Sequence, residues 1–353
     1  TDRLRVQVGG RLTLLGWREG LDPQELKAII EETVALATEV DHRFVQLLLL
    51  TEGRVLHGGG GPADGYVQAT RKAIALTPNG SDPGRMAALH LVLSHACSWS
   101  GLLRESLAAS EVALQGIAQI DSFDGDYLGF DPEHWRLGVQ SRVLTRMLRL
   151  EEAHACLLQM LGRDVINGDP VILQIAYQGF VVLAGCWNDN AMAQRYAVLS
   201  AQISKTHSGP YNQTLTLWTS GLAATVAQEF DHANDCFFDA LAVLRGAKIA
   251  ADIETEILVC MAEGQHLSGH AEKALALARE CAALARRRNN RIAEFRSLVV
   301  WGSVLARDGS AEGPREAETL FRQAQELLTV TGAVLYEDGL RRGLALLNQA
   351  TGP

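Results

Sequence analysis

The sequence predicts an all-α protein, a superhelical solenoid of antiparallel helix pairs with about seven to eight repeats of roughly 40 residues. Three observations predict it. Small residues recur inside apolar helical stretches at a near-constant period. A turn-forming segment follows each of them. Prolines fall where helices should begin, and no segment sustains the alternation of a strand beyond the short run Arg5 to Val8.

The small residues are Gly53, Ser94, Ser141, Gly179, Gly221, Ala262 and Gly302, at successive spacings of 41, 47, 38, 42, 41 and 40. A period of this length fits one helical hairpin per unit. Two helices cross closely only where a side chain is tiny, so each such residue marks a crossing point. The turns lie at Trp99-Ser100-Gly101, Leu148-Arg149-Leu150, Gln228-Glu229-Phe230 and Leu267-Ser268-Gly269. Beyond them the second helices show one apolar face, as in Phe230, Ala233, Phe237 and Ala240, or Ala271, Ala274, Ala278 and Cys281. Pro23, Pro62, Pro83, Pro132, Pro170, Pro210 and Pro314 mark helix starts. Asp22, Asp82, Asp131 and Asp169 each precede one of them as an N-cap.

Bulk properties agree with a stack. The chain has 353 residues, more than one ordinary core, yet no linker divides it, and a stacked array has no such size limit. It is expected to be a single repeat domain, 1–353, with N-terminal repeats over 1–120, an interrupting loop at 121–133 and C-terminal repeats over 134–353. Apolar residues make up 47% and aromatics only 6%, which suits close-packed helices. The net charge of −9 leaves no basic stripe for nucleic acid. Arg286-Arg287-Arg288 reads as the cationic end of an Ala-rich helix. Cys97, Cys156, Cys186, Cys236, Cys260 and Cys281 form no C-x-x-C pair and read as small buried hydrophobes in a reducing compartment. No signal peptide and no apolar run long enough for a membrane are expected, which points to the cytoplasm. The first residues, Thr1-Asp2-Arg3, lack a methionine, which suggests a piece of a longer protein.

With the hairpins placed, the chain resembles the tetratricopeptide-repeat family. Gly221, Ala233, Phe237 and Ala240 match that family's small, small, aromatic and small pattern. The period exceeds the family's usual length and resembles the repeats of large signal-transduction ATPases. Two segments sharpen this, Gly16-Trp17-Arg18-Glu19-Gly20-Leu21-Asp22-Pro23 and Gly125-Asp126-Tyr127-Leu128-Gly129-Phe130-Asp131-Pro132-Glu133-His134-Trp135. They resemble the C-terminal repeat region of bacterial multidomain class III adenylate/guanylate cyclases that carry an AAA/STAND-type ATPase module. The resemblance implies a regulatory sensor arm attached to cyclase and ATPase domains, and no cyclase activity of the arm itself.

Catalytic motifs are missing. Gly58-Gly59-Gly60-Gly61 is not followed by the Lys-Ser/Thr of a phosphate loop, so it reads as a hairpin turn. Neither a zinc-protease helix nor a nucleophile elbow occurs, and no cofactor is implied. Asp121, Asp124, Asp126, Asp131 and Glu133 lack calcium-loop spacing and read as a solvated connection that also caps a helix.

First helices line the concave side of such an array. The residue after each small anchor, and the one four beyond it, should face inward. This selects Arg54 and His57, His95 and Ser98, Arg142 and Thr145, Leu222 and Thr225, Glu263 and His266. Trp135 and Trp218 should sit nearby. The expected binding set is therefore Arg54, His57, His95, Trp135, Arg142, Trp218, Glu263 and His266. Arginine and tryptophan are the residue types that anchor interfaces. The groove should be positive at the Arg54, His57, His95 and Arg142 end and acidic at Glu263, suiting a protein segment or a small anionic ligand. The function expected is a non-enzymatic sensor, with a constitutive interaction or homo-oligomerisation scaffold as the alternative.

Overall fold

The computed structural model describes residues 2–19, 23–40, 42–77, 82–162, 169–307 and 312–351. Among them the regular secondary structure is entirely helical, with no strand. Eight antiparallel pairs follow one another. They are α1 (Asp2–Glu19) with α2 (Pro23–Val40), α3 (His42–Gly58) with α4 (Ala63–Ala75), and α5 (Pro83–Ser100) with α6 (Leu103–Gly116). A short α7 (Ser122–Leu128) intervenes. Then come α8 (Pro132–Arg146) with α9 (Leu150–Gly162), α10 (Pro170–Trp187) with α11 (Asn190–Thr206), and α12 (Pro210–Val226) with α13 (Phe230–Ala247). The last pairs are α14 (Glu254–Leu267) with α15 (Ala271–Arg288) and α16 (Arg291–Leu305) with α17 (Gly313–Thr331), and α18 (Glu337–Thr351) ends the stack.

The hairpins share one closing device. Six of them end the first helix on a left-handed residue: Gly60, Gly101, Leu148, Asn188, Gln228 and Gly269. In each, the next N–H bonds back five residues, for example Arg149 to the Leu144 carbonyl and Glu229 to the Ala224 carbonyl, both at 2.9 Å. This satisfies helix-end carbonyls that would otherwise be orphaned. The left-handed residue falls seven positions after Gly53, Ser94, Ser141, Gly221 and Ala262, which fixes their register. Asp82, Asp131 and Asp169 cap their helices through backbone N–H bonds of 2.8–2.9 Å. Asp22 and the stretch Gly20-Leu21-Asp22 lie outside the described residues.

Close crossings are visible at the anchors. A Cβ added to Gly221 would fall within 3 Å of three ring atoms of the fully buried Phe237, and one added to Gly302 would meet the Phe321 ring at 2.6 Å. Gly179 differs from expectation. Its bare face meets Leu157 of the preceding α9 at 2.8 Å, and the left-handed Asn188 comes nine residues later. Val181 holds the crossing position instead. It is fully buried against Ala193 and Ala197, so the small partners sit on α11. The wide 94-to-141 spacing houses α7.

Residues 121–133 are not a solvated loop. Asp121 caps α7, and the wholly buried Asp124 is gripped side-on by Arg85, with both N···O distances 2.7 Å. Arg43 reaches both Asp121 and Asp124. A second correction concerns α10. By length and hydropathy alone it is apolar enough to cross a membrane. Here it packs between α9 and α11 and also touches α8 and α12, putting Phe180, Val181 and Leu183 in the core. Arg286 and Arg288 end α15 as expected and pair with Glu294 and Glu254.

The array curls until its ends meet. Arg291, at the start of α16, donates to both Asp64 carboxylate oxygens at 2.8 Å and to the Ser100 carbonyl at 2.9 Å. These partners lie on α4 and α5. Nearby, Gly101 abuts Thr331 and Ile292. The superhelix is thus closed, and its concave side becomes an interior.

Candidate functional site

Inside the coil lies a cavity of about 470 Å³, walled by the first helices α3, α5, α8, α10, α12, α14 and α16. That volume falls in the range of small-ligand pockets. The residue immediately after six of the seven crossing points contributes to the wall, Arg54, His95, Arg142, Val182, Leu222 and Glu263, whereas Ser303 after Gly302 does not. Val182 enters this series once Val181 replaces Gly179.

Of the eight residues singled out from sequence, Arg54, His57, His95, Trp135, Arg142, Trp218 and Glu263 meet around this one cavity. His266 does not. The Glu263–Arg296 ion pair, with N···O distances of 2.9 and 2.6 Å, closes the space one turn before it. Ser98 is also withdrawn: it is fully buried and accepts from Arg142 at 2.9 Å.

The histidines are not the positive charges expected. Trp99 donates its indole N–H to His95 Nε2 at 3.0 Å. An indole nitrogen only donates, so Nε2 must be unprotonated and Nδ1 carries the hydrogen toward the Tyr66 hydroxyl, 3.3 Å away. Burial, then Arg142, holds His95 well below the ordinary histidine pKa. Burial lowers His57 as well. The cationic character rests on arginine.

Arg54 stacks over Phe130 and Trp135, at 5.2 and 5.1 Å from their ring centres, and donates to the Leu128 carbonyl at 2.9 Å. It thereby pins the segment after α7 to the cavity wall. Arg142 lies 4.3 Å over the Trp99 ring. Its hydrogen bond goes to a serine hydroxyl, and among the described residues no carboxylate is in ion-pair contact with it, although Glu256 and Asp252 act on it from farther off. Burial, with Arg146 adding repulsion, pushes its pKa down to about 10. It remains a cation at neutral pH, deep in the protein, with its charge unmatched by contact.

Sequence reasoning missed the polar floor. Arg146 reaches from α8 to Glu256 on α14 at 2.9 Å, and Glu256 also faces Arg296 at 3.5 Å. Arg296 lies 4.7 Å over the Tyr336 ring. Burial raises the Glu256 carboxyl, but Arg146 and Arg296 pull it lower, and the net position is below the ordinary value. A signal for these residues existed. Glu256 and Arg296 each stand six positions before a crossing point, as Trp135 does. Six polar side chains that line the cavity each keep one buried atom without a partner, among them Arg142 Nε, Gln178 Nε2 and Trp218 Nε1. Among the described residues, no group of three acidic, histidine or cysteine side chains is placed to hold a metal.

The fold is that of a tetratricopeptide-like superhelical repeat protein, with a cavity on its concave side. Solved structures of this architecture include a Rap protein complexed with the competence and sporulation factor, at TM-score 0.61 and 9% identity over 99% of both chains. Another is Bacillus thuringiensis PlcR in complex with the peptide PapR7 and DNA, at TM-score 0.51 and 16% identity over 73% of this chain and 98% of that one. A third is a signal transduction ATPase with numerous domains from Pyrococcus horikoshii, carrying a tetratricopeptide repeat sensor. It matches at TM-score 0.51 and 13% identity over all of this chain and 50% of that one. No family model matches the sequence, and no curated protein does. At these identities the likeness establishes the fold.

Proposed function

We propose that this chain is a non-catalytic regulatory repeat domain that captures a peptide segment or small ligand in its enclosed cavity. One observation carries the reading: the Arg142 guanidinium sits deep beside the cavity, backed by Trp99, with no carboxylate against it. Glu256 and Asp252 act on that charge from a distance, but a buried cation lacking a contact ion pair still favours an anion beside it. A ligand carboxylate or other anion would fill that place. The Rap and PlcR structures, each bound to a signalling factor or peptide, support a peptide as the occupant. Occupancy would bias the curl of the array and so an attached output domain, which by sequence resemblance is a cyclase with an ATPase module. Such coupling needs different affinities for two curvatures of the coil. PlcR was crystallised with DNA as well, whereas the net charge of −9 argues against nucleic acid as a partner here. The composition and thiol usage fit a cytoplasmic setting.

The test is purification from the native host followed by denaturing mass spectrometry. A stoichiometric co-purifying peptide or anion, lost in Arg142→Glu, is the expected result. An Arg142→Glu protein that still carries the same molecule would refute the reading. A scaffold role has its own observation. Leu158, Val198 and Phe238 recur every 40 residues on successive outer helices and are 51%, 55% and 65% exposed. A concentration-independent dimer that carries no ligand would favour that alternative.

A further inference from the structure

A second cavity, of about 510 Å³, abuts the first. The two share Phe130, His134 and Ile172 as common lining. Their charges differ, the inner one holding Arg54, Arg142, Arg146 and Arg296 together with Asp252, Glu256 and Glu263. Among the described residues the outer cavity carries Asp126, Asp131 and Asp169 and no lysine or arginine. Asp131 and Asp169 each spend one oxygen on a helix cap, at 2.9 and 2.8 Å, and keep the other. Between the two spaces stands His134, only 3% exposed. Its Nδ1 lies 2.6 Å from Asp131 Oδ1 and so carries the proton toward that carboxylate. Its Nε2 is buried with no partner. That buried, unpartnered nitrogen belongs to a side chain lining both cavities, so a ligand atom can reach it. An acidic rim calls for a cationic group, whereas Arg142 on the far side calls for an anion.

We propose that the two cavities form one bipartite site for a short peptide with both ends free, its carboxylate on Arg142 and its ammonium or a basic side chain against the Asp126, Asp131 and Asp169 rim. The inference rests on the reading of the inner cavity as a ligand site. It adds what that reading leaves open, the charge of the ligand's other end. The acidic rim disfavours simple anions in the outer cavity, since like charges raise the cost of approach. A ligand of mixed charge meets both fields in the favourable sense. Phe130, between the two spaces and already held under Arg54, is the side chain that a spanning ligand displaces.

The experiment uses the full chain and a randomised pool of short synthetic peptides in three forms: both ends free, N-acetylated, and C-amidated. Retained peptides are identified by mass spectrometry after ultrafiltration. The wild type should enrich free-ended peptides, with acetylation lowering retention about threefold to fivefold unless a basic residue stands near the amino end. Asp126→Asn combined with Asp131→Asn and Asp169→Asn keeps the caps, because asparagine caps helices well. That variant should bind acetylated and free forms equally while still preferring a free carboxylate. Arg142→Gln should lose the carboxylate preference. Equal retention of acetylated and free peptides by the wild type would overturn the proposal, as would a triple variant that keeps the amine preference or a pool from which nothing is enriched. An Arg142-dependent anion lacking any amine, recovered from the native host, would sink the bipartite site and leave the inner one standing.

Discussion

Replacing Gly221 tests the crossing geometry of the repeat most directly. An added Cβ lies within 3 Å of Cε1, Cδ1 and Cζ of Phe237. The ring is fully buried among Ala233, Ala240 and Leu241 and has nowhere to swing. Two effects oppose each other in Gly221→Ala. Helix propensity favours alanine by about 1 kcal/mol. Overpacking a tight core costs roughly 1–3 kcal/mol, and three ring contacts at once place this site near the upper end. The net expectation is a loss of about 2 kcal/mol, with Gly221→Leu worse. Gly246 supplies the control. It sits on exposed α13 surface, and its Cβ would meet nothing within 4 Å. Gly246→Ala should therefore gain about 0.5–1 kcal/mol. Urea unfolding followed by circular dichroism measures both, and hydrogen exchange should localise the Gly221→Ala loss to α12 and α13. Combining Gly221→Ala with Phe237→Leu should recover part of the loss. If Gly221→Ala stabilised the protein as much as Gly246→Ala does, the argument that a missing side chain sets the helix crossing would fail.

Two further predictions concern charge. His57 and His95 are held neutral in the fold, below their unfolded value near 6.5. Below that value the unfolded chain binds more protons, so stability is full above pH 6.5 and falls as the pH drops beneath it. Each histidine that stays neutral contributes a slope of up to about 1.4 kcal/mol per pH unit, measurable by urea unfolding between pH 5 and 8, and His95→Gln should reduce it. A flat profile across that window would contradict the neutral state of both histidines in the fold. Arg291→Ala cuts the contact between α16 and the α4–α5 edge. It should cost about 1 kcal/mol and enlarge the radius of gyration in X-ray scattering, whereas an unchanged radius would show that the coil closes without it.

The repeat was legible in sequence because crossing points and helix ends are set locally. Gly53, Ser94, Ser141, Gly221 and Ala262 each lie seven residues before a left-handed terminator, and both features are written within one hairpin. Gly179 misled because its bareness serves the neighbouring α9, a contact between hairpins that no short window reveals. The inward-facing residues followed from the same register, which is why Arg54, His95, Arg142 and Glu263 converge. What escaped is whatever depends on the pitch of the whole coil. Arg146 and Glu256 are 110 positions apart, and only the curvature of the intervening hairpins brings them to 2.9 Å. His266 was lost for the same reason, since Arg296 arrives from the next repeat to block it. The charge state of His95 turned on a tryptophan one helical turn away acting as a donor, a detail of rotamers and not of residue spacing.

The union of Arg291 with Asp64 and Ser100 has a consequence for how such a chain can change over time. An open array accepts the duplication or deletion of a unit, because each one touches only its neighbours. Here the unit count between α4 and α16 determines whether the two edges arrive at the same height. One hairpin more or fewer would carry Arg291 past its carboxylate and split the chamber along a seam. Variation in this lineage should therefore accumulate as substitutions facing the chamber, with the number of hairpins held constant.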